Sequence, residues 1–198
     1  MMYTRHNQRG FSLVETLVAI TILLIVISGP MAISSRAAKS TTYASEQVVA
    51  FFLAQEGAEI AQKLRDDLVL REFEGLTNTA WQQFSDDTGA GAYSDCFISH
   101  NVYGCGLELI AGDTAGAVAA PIDCTSTGNA CTLRFDETGE RSRYKHSAGT
   151  PTAYKRIIKF NRLDDHQVRV ESTVSWRSGS LRDEQSVTVE TFLLDVYR

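Results

Sequence analysis

The hydrophobic pattern changes character three times along the chain. From Phe11 to Gly29 nearly every position is apolar, and Glu15 is the only ionisable side chain before Arg36. A run of about 19 such residues approaches the roughly 20 that a helix needs to cross a bilayer. From Met31 to Phe73 the apolar residues thin into a stripe. Ala37, Ala44, Val48, Phe51, Ala58, Leu64 and Leu68 recur at three-, four- or seven-residue steps, with Arg36, Lys39, Glu46, Glu59 and Arg65 between them. That spacing predicts an amphipathic helix. Joined end to end, the two segments would make about 60 helical residues, roughly 90 Å at the usual rise. Gly29-Pro30 lies between them, and proline removes a backbone donor and crowds the preceding turn. The pair predicts either a helix break there, as a kink or a melted turn, or a boundary between two helices.

Leu76 to Ala130 is dense in Gly, Ser, Thr, Asp and Ala, with weak periodicity. It reads as a long loop region with short strands, anchored to the core by Trp81 and Phe84. Beyond it the period becomes two. Tyr154–Phe160 reads as a strand, and Gln167–Trp176 and Gln185–Leu194 alternate, with Val168, Val170 and Trp176 on one face of the former and Val187, Val189 and Thr191 on one face of the latter. Arg177–Ser180 supplies a turn. With Thr132–Asp136 they predict an antiparallel sheet of about four strands, one face covered by the long helix, hence an α+β fold. The segments are then 1–10, a polar leader; 11–30, the apolar helix; 31–75, the amphipathic helix; 76–132, a variable loop region; and 133–198, the sheet.

At 198 residues, 43% hydrophobic and 22% charged with three prolines, the composition is that of a folded chain. A net charge of −5 argues against an overall nucleic-acid footprint. Arg5, His6 and Arg9 precede the apolar run, which predicts that the N-terminus stays in the cytoplasm and the rest lies outside. A secretory signal peptide has the same outline. Against it stand the length of the run, the lack of a small-x-small cleavage site, and Glu15. An ionised carboxylate in hydrocarbon costs on the order of 3 kcal/mol even on lenient scales, so one kept there needs a partner or a function.

Arg9-Gly10-Phe11-Ser12-Leu13-Val14-Glu15 resembles the processing site of type IV prepilins and type II secretion pseudopilins. The likeness covers about the first 35 residues; beyond them it is architectural. It implies cleavage after Gly10 by a membrane aspartyl prepilin peptidase, N-methylation of Phe11, and an assembly role for Glu15. The Ser-Leu-Val-Glu-Thr-Leu-Val-Ala run looks most like minor pilins. The implied partners are other pilin subunits, the peptidase, an inner-membrane assembly platform, and the lipid bilayer before assembly. The implied location is a single-pass membrane protein, then an extracytoplasmic filament at the cell surface. Physics gives Glu15 a purpose on its own terms. After cleavage the Phe11 amine is a cation at neutral pH, and a neighbour's Glu15 pairing with it in low dielectric would set axial register. The other reading is that Glu15 snorkels to the headgroups.

Cys96, Cys105, Cys124 and Cys131 fall in one stretch, an even count suited to disulfides in an oxidising compartment. Free thiols and a metal site are the competing readings, though the intervals are wide for zinc knuckles. Of three pairings, 96 with 105 and 124 with 131 close short glycine-containing loops. The histidines His6, His100, His146 and His166 are scattered, with no nucleophile elbow nearby. Asp86-Asp87, Asp164-Asp165 and Asp136-Glu137-Thr-Gly-Glu140 resemble calcium ligands but fit no EF-hand spacing. No cofactor, no metal and no enzyme activity is expected. Between Arg134 and Arg169 nine Lys/Arg face five acids, interleaved with Tyr144, Tyr154 and Phe160. Arg141, Arg143, Lys145, Lys155, Arg156 and Lys159 are therefore candidate contacts to DNA or a surface. The alternative is a solvated strand face with cross-strand ion pairs.

Overall fold

A computed structural model describes residues 12–75, 79–110, 120–125, 130–138, 142–179 and 183–195. The leader, Gly10, Phe11 and Arg141 lie outside the described residues. The chain divides into two compact units, Met1–Ala44 and Ser45–Arg198.

Helix α1 spans Leu13–Phe73, 61 residues. Its start is written in Ser12: the Glu15 N–H donates to Ser12 Oγ at 3.2 Å, and the Thr16 N–H donates to the Ser12 carbonyl at 3.2 Å. Ser-x-x-Glu is a helix-start signature, and the early acid also suits the positive end of the helix dipole. A melted turn or helix boundary at Gly29-Pro30 is not found, because helix continues through both residues. Pro30 still lacks an N–H, so the carbonyl one turn earlier, on Val26, loses that donor. Hydroxyls in the apolar run are satisfied internally. Thr16 Oγ1 donates to the Leu13 carbonyl at 2.9 Å, Thr21 Oγ1 to the Val18 carbonyl at 2.8 Å, and Ser28 Oγ to the Ile25 carbonyl at 3.0 Å. Such bonding lets hydroxyls sit in an apolar medium.

From Ser45 onward α1 has a buried face: Ala50, Leu53, Ala54, Gly57, Ala58, Ile60, Ala61, Leu64 and Leu68. The predicted stripe is therefore split. Ala58, Leu64 and Leu68 are core, whereas Ala37, Ala44, Val48 and Phe51 are exposed. At Gly57 the helix comes so close to the sheet that a Cβ would run into the Ser172 side chain and Arg156 Cδ.

Against this face lies an antiparallel sheet with more strands than the four expected. The strands are β1 (Cys105–Gly106), β2 (Ile122–Asp123), β3 (Thr132–Asp136), β4 (Arg143–Lys145), β5 (Thr150–Asp164), β6 (Gln167–Trp176) and β7 (Gln185–Leu194). The three additions, β1, β2 and β4, are two or three residues long, too short to show a period. Strand β5 is the hub. It pairs with β6 from Lys155↔Ser175 to Asp164↔Gln167, with β3 near Thr132↔Lys155, and with β1 at Cys105↔Ile158. Strand β7 pairs with β6 from Gln167↔Leu194 to Trp176↔Gln185 without a register shift.

Alternation along β5 and β6 sends Ile158, Phe160, Val168, Val170, Val174 and Trp176 inward, all essentially buried. Helix α2 (Ala80–Ser85) brings Trp81 and Phe84 onto this core. The Phe84 and Phe160 rings lie 5.5 Å apart, and those of Phe97 and Phe160 lie 5.4 Å apart. Trp81 Nε1 donates to the Asp165 carbonyl at 2.6 Å, so the polar tip of this anchor is satisfied.

Candidate functional site

The first candidate is the N-terminal part of α1. Every described residue from Ser12 to Ala44 is exposed except Tyr43, which is half-buried. Exposed large side chains run from Leu13 through Leu17, Ile20, Leu23 and Ile27 to Ile33. Among the described residues α1 is the one helix long and apolar enough to cross a membrane. Glu15 stands in its first turn, two residues past its start and one turn from Ser12. The chain thus presents a lipid-compatible cylinder with one carboxylate near its beginning. Gly29 and Pro30 are exposed within it.

The cysteines are paired 96 with 105 and 124 with 131, with Cα–Cα distances of 4.6 and 5.5 Å. All four are buried. They tie the two-residue strands β1 and β2 to the turn before β1 and to the start of β3.

The basic cluster is not one surface. Arg156 must be withdrawn from the surface candidates, because its side chain is fully buried. It reaches from β5 into α1, where Nη1 donates to Glu56 Oε2 at 2.7 Å and to the Leu53 carbonyl at 3.2 Å, while Nη2 donates to the Leu107 carbonyl at 3.0 Å. Burial pulls its pKa down, opposed by the Glu56 and Glu108 carboxylates. Lys145 is ion-paired to Asp136, which also accepts from the Thr138 hydroxyl and N–H. These bonds hold the Asp136 carboxyl below its usual range. Lys159 stands directly across from Glu171, and Lys155 across from Ser175. Arg143 is the cross-strand neighbour of Asp136.

Beside Arg156 the fold buries His146, whose two ring nitrogens have no hydrogen-bond partner among the described residues. Burial, then the nearby Arg156 cation, push its pKa down to about 4, against the pull of Glu108. Burial alone would raise the Glu108 pKa. The Ser147 hydroxyl, together with the N–H groups of His146 and Ser147 that donate at 2.6 and 3.0 Å, reverses that and lowers it. Period-two counting could have found Arg156, since it shares the inward parity of Ile158 and Phe160. No sequence signal pointed to Glu56 as its partner.

Two of the acidic pairs considered as calcium ligands, Asp86-Asp87 and Asp164-Asp165, converge, but on a cation already present. Arg162 lies 3.7 Å from Asp87 and 2.8 Å from Asp165. Among the described residues no group of three His, Cys, Asp or Glu is arranged to hold a metal.

What these features define is a disulfide-stapled α+β domain whose long helix begins in a membrane-length apolar segment. The family model of the prokaryotic N-terminal methylation motif matches residues 5–29. No curated protein and no solved structure matches the chain. The motif supports the type IV pilin and pseudopilin family and indicates a structural subunit rather than an enzyme. The motif implies processing by prepilin peptidase and other pilin subunits as partners, and the apolar start of α1 fits a membrane anchor.

Proposed function

We propose that this chain is a minor pilin of a type IV pilus or related filament, held in the inner membrane by residues 11–30 until it is assembled. The observation that carries the reading is the methylation motif at residues 5–29, within which every described residue of the helix is exposed. A helix with that much bare apolar surface needs lipid or other helices around it. In this reading prepilin peptidase removes Met1–Gly10, Phe11 gains a methyl group, and the N-terminus faces the cytoplasm before assembly. Glu15 pairs with the amine of a neighbouring subunit. Residues 31–75 carry the helix onto the head, 76–132 form the stapled loop region, and 133–198 form the sheet. A type II secretion pseudopilin would share the same motif. DNA or surface binding by the head has lost one of its candidate cations, Arg156, to the core.

The test is the intact mass and N-terminal residue of the protein taken from native membranes. The expected result is loss of Met1–Gly10 with one methyl on Phe11. A retained leader in cells with active prepilin peptidase would overturn the proposal.

A further inference from the structure

The longest open strand edge of the head borders a surface without cations. Among the described residues β7 pairs only with β6, so one row of its backbone N–H and C=O groups is open along ten residues. Nothing blunts this edge: the strand holds no proline, and its ladder with β6 has no register shift. Val187, Val189 and Thr191 stand opposite the buried Val174, Ser172 and Val170 of β6, and so share the face that carries α1. They stay only half-buried, which leaves that face incompletely covered at β7. Alongside, α1 presents Val48, Phe51 and Phe52, all exposed. These three line a groove of about 390 Å³ with Val187, and Ala58, Glu59, Val189 and Thr191 lie along a second of about 410 Å³. No Lys or Arg occurs from Ser45 to Gln62 or from Asp183 to Asp195, whereas Glu59 and Glu190 are both exposed. Arg169 on β6 is engaged by Glu171 at 2.8 Å.

We infer that β7 takes up an extended segment of a different protein as an added strand, one in which apolar and basic side chains alternate. An open edge of this length is a template for another strand, and main-chain bonds along it supply affinity whatever the side chains. Side chains of the added strand then fall on two faces. Those on the α1 side are apolar and lie in the two grooves, covering Phe51, Phe52 and Val187. Those on the other side are Lys or Arg and stand near Glu190, where this chain provides no free cation of its own. Charge complementarity selects the partner more than it tightens the contact. A helix laid in the grooves would cover the same apolar groups but leave the backbone row to water. A second β7 brings the same acid and no cation, which disfavours two copies meeting through this edge. The inference goes beyond the filament-subunit reading and requires neither processing nor assembly.

The experiment titrates the full chain, in non-ionic detergent with the leader intact, into a fluorescent octapeptide that alternates Val and Lys. Fluorescence anisotropy should show binding that weakens as salt is raised. A peptide of the same composition with its Val and Lys in two blocks should bind at least about fivefold more weakly, as should one alternating Val and Glu. Glu190→Lys and Glu59→Lys should each weaken binding of the alternating peptide about fivefold, the scale of an exposed ion pair. Unchanged melting of the head in each variant excludes misfolding as the cause. Hydrogen exchange should slow in β7 when the alternating peptide is bound. Equal binding of the block peptide would reduce the effect to charge adsorption and overturn the inference. Absent binding, unchanged exchange in β7, or variants that bind like the unmodified chain would overturn it as well. So would exchange in β7 that slows with the concentration of the chain alone and no further with peptide, since the occupant would then be a second copy. Leader cleavage plays no part in this assay, so either result can fail while the other stands.

Discussion

The two parts of α1 have the same backbone and opposite needs. From Leu13 to Gly29 the helix is apolar and every residue is exposed; from Ser45 to Phe73 it is mixed in composition and buries one face. Helicity in the first part is supported by internal hydrogen bonding, with a capped start and back-bonded hydroxyls. In the second it is supported by packing, with small residues Ala50, Ala54, Gly57, Ala58 and Ala61 letting the sheet come close. Hydrophobicity along a sequence therefore does not locate the core of this protein. The most apolar segment is outside it, and the core is built by period and residue size.

The largest expected effect sharpens that contrast. Phe160→Ala removes a ring packed on Phe84 and Phe97. It should destabilise the head by about 3–5 kcal/mol. Leu23→Ala, in the apolar run, should change head stability by less than about 0.5 kcal/mol. Thermal unfolding of the full chain in detergent, followed by near-ultraviolet circular dichroism, checks both. Equal effects would mean that the two units are not energetically separate.

The same contrast explains what could be read in advance. Strands β6 and β7 were legible to their end residues because each alternates for ten residues against one buried face. Strands β1, β2 and β4 were not, since two or three residues carry no period and their pairing follows from disulfides and from long-range contact with β5. Ser12 and Glu15 carry a helix-start pattern as well as the processing signature, but only the signature was read from the sequence. The inward position of Arg156 was available from parity but conflicted with the habit of placing charge on the surface. Only the tertiary structure supplies Glu56 and two carbonyls to satisfy it.

Next in size is a response to acid confined to the second unit. His146 has a folded pKa of about 4, against 6.5 for an unburied imidazole. Below pH 6.5 the unfolded chain takes up a proton that the folded one refuses, so stability falls as pH drops from 6.5 to 4. The total is roughly 3 kcal/mol, from about 1.4 kcal/mol per pKa unit. Glu108, whose pKa is lowered in the fold, adds a further loss below the ordinary carboxylate range, because its bonds to the His146 and Ser147 N–H groups need the ionised form. Chemical denaturation at a series of pH values should show this slope, and His146→Gln should flatten it between pH 6.5 and 4. A slope unchanged in the variant would place the titrating group elsewhere.

Loss of either disulfide comes third. Each closes a short loop, with sequence separations of 9 and 7. Loop-closure entropy predicts about 2–3 kcal/mol apiece. The loss should fall on the segment from Ser94 to Cys131, which has few strand residues to hold it. Hydrogen exchange after reduction should therefore speed up in β1 and β2 while β6 stays protected.

The smallest local effect decides the most about assembly. Glu15 fits two purposes: an acid at the third helical position after a Ser12 cap, and a charge reserved for a neighbouring subunit's amine. The first is worth about 0.3–1 kcal/mol to the helix. Glutamine serves at that position nearly as well as glutamate. Glu15→Gln therefore keeps the helix start but removes the charge, whereas Ser12→Ala weakens the start, by about 1 kcal/mol, and keeps the charge. If the carboxylate pairs with a neighbour's amine, Glu15→Gln should abolish incorporation into sheared filaments while Ser12→Ala leaves it near normal. The opposite ranking would show that the motif is retained for the first turn of the helix. In that case the bare apolar unit would have to find its register in the filament by packing alone.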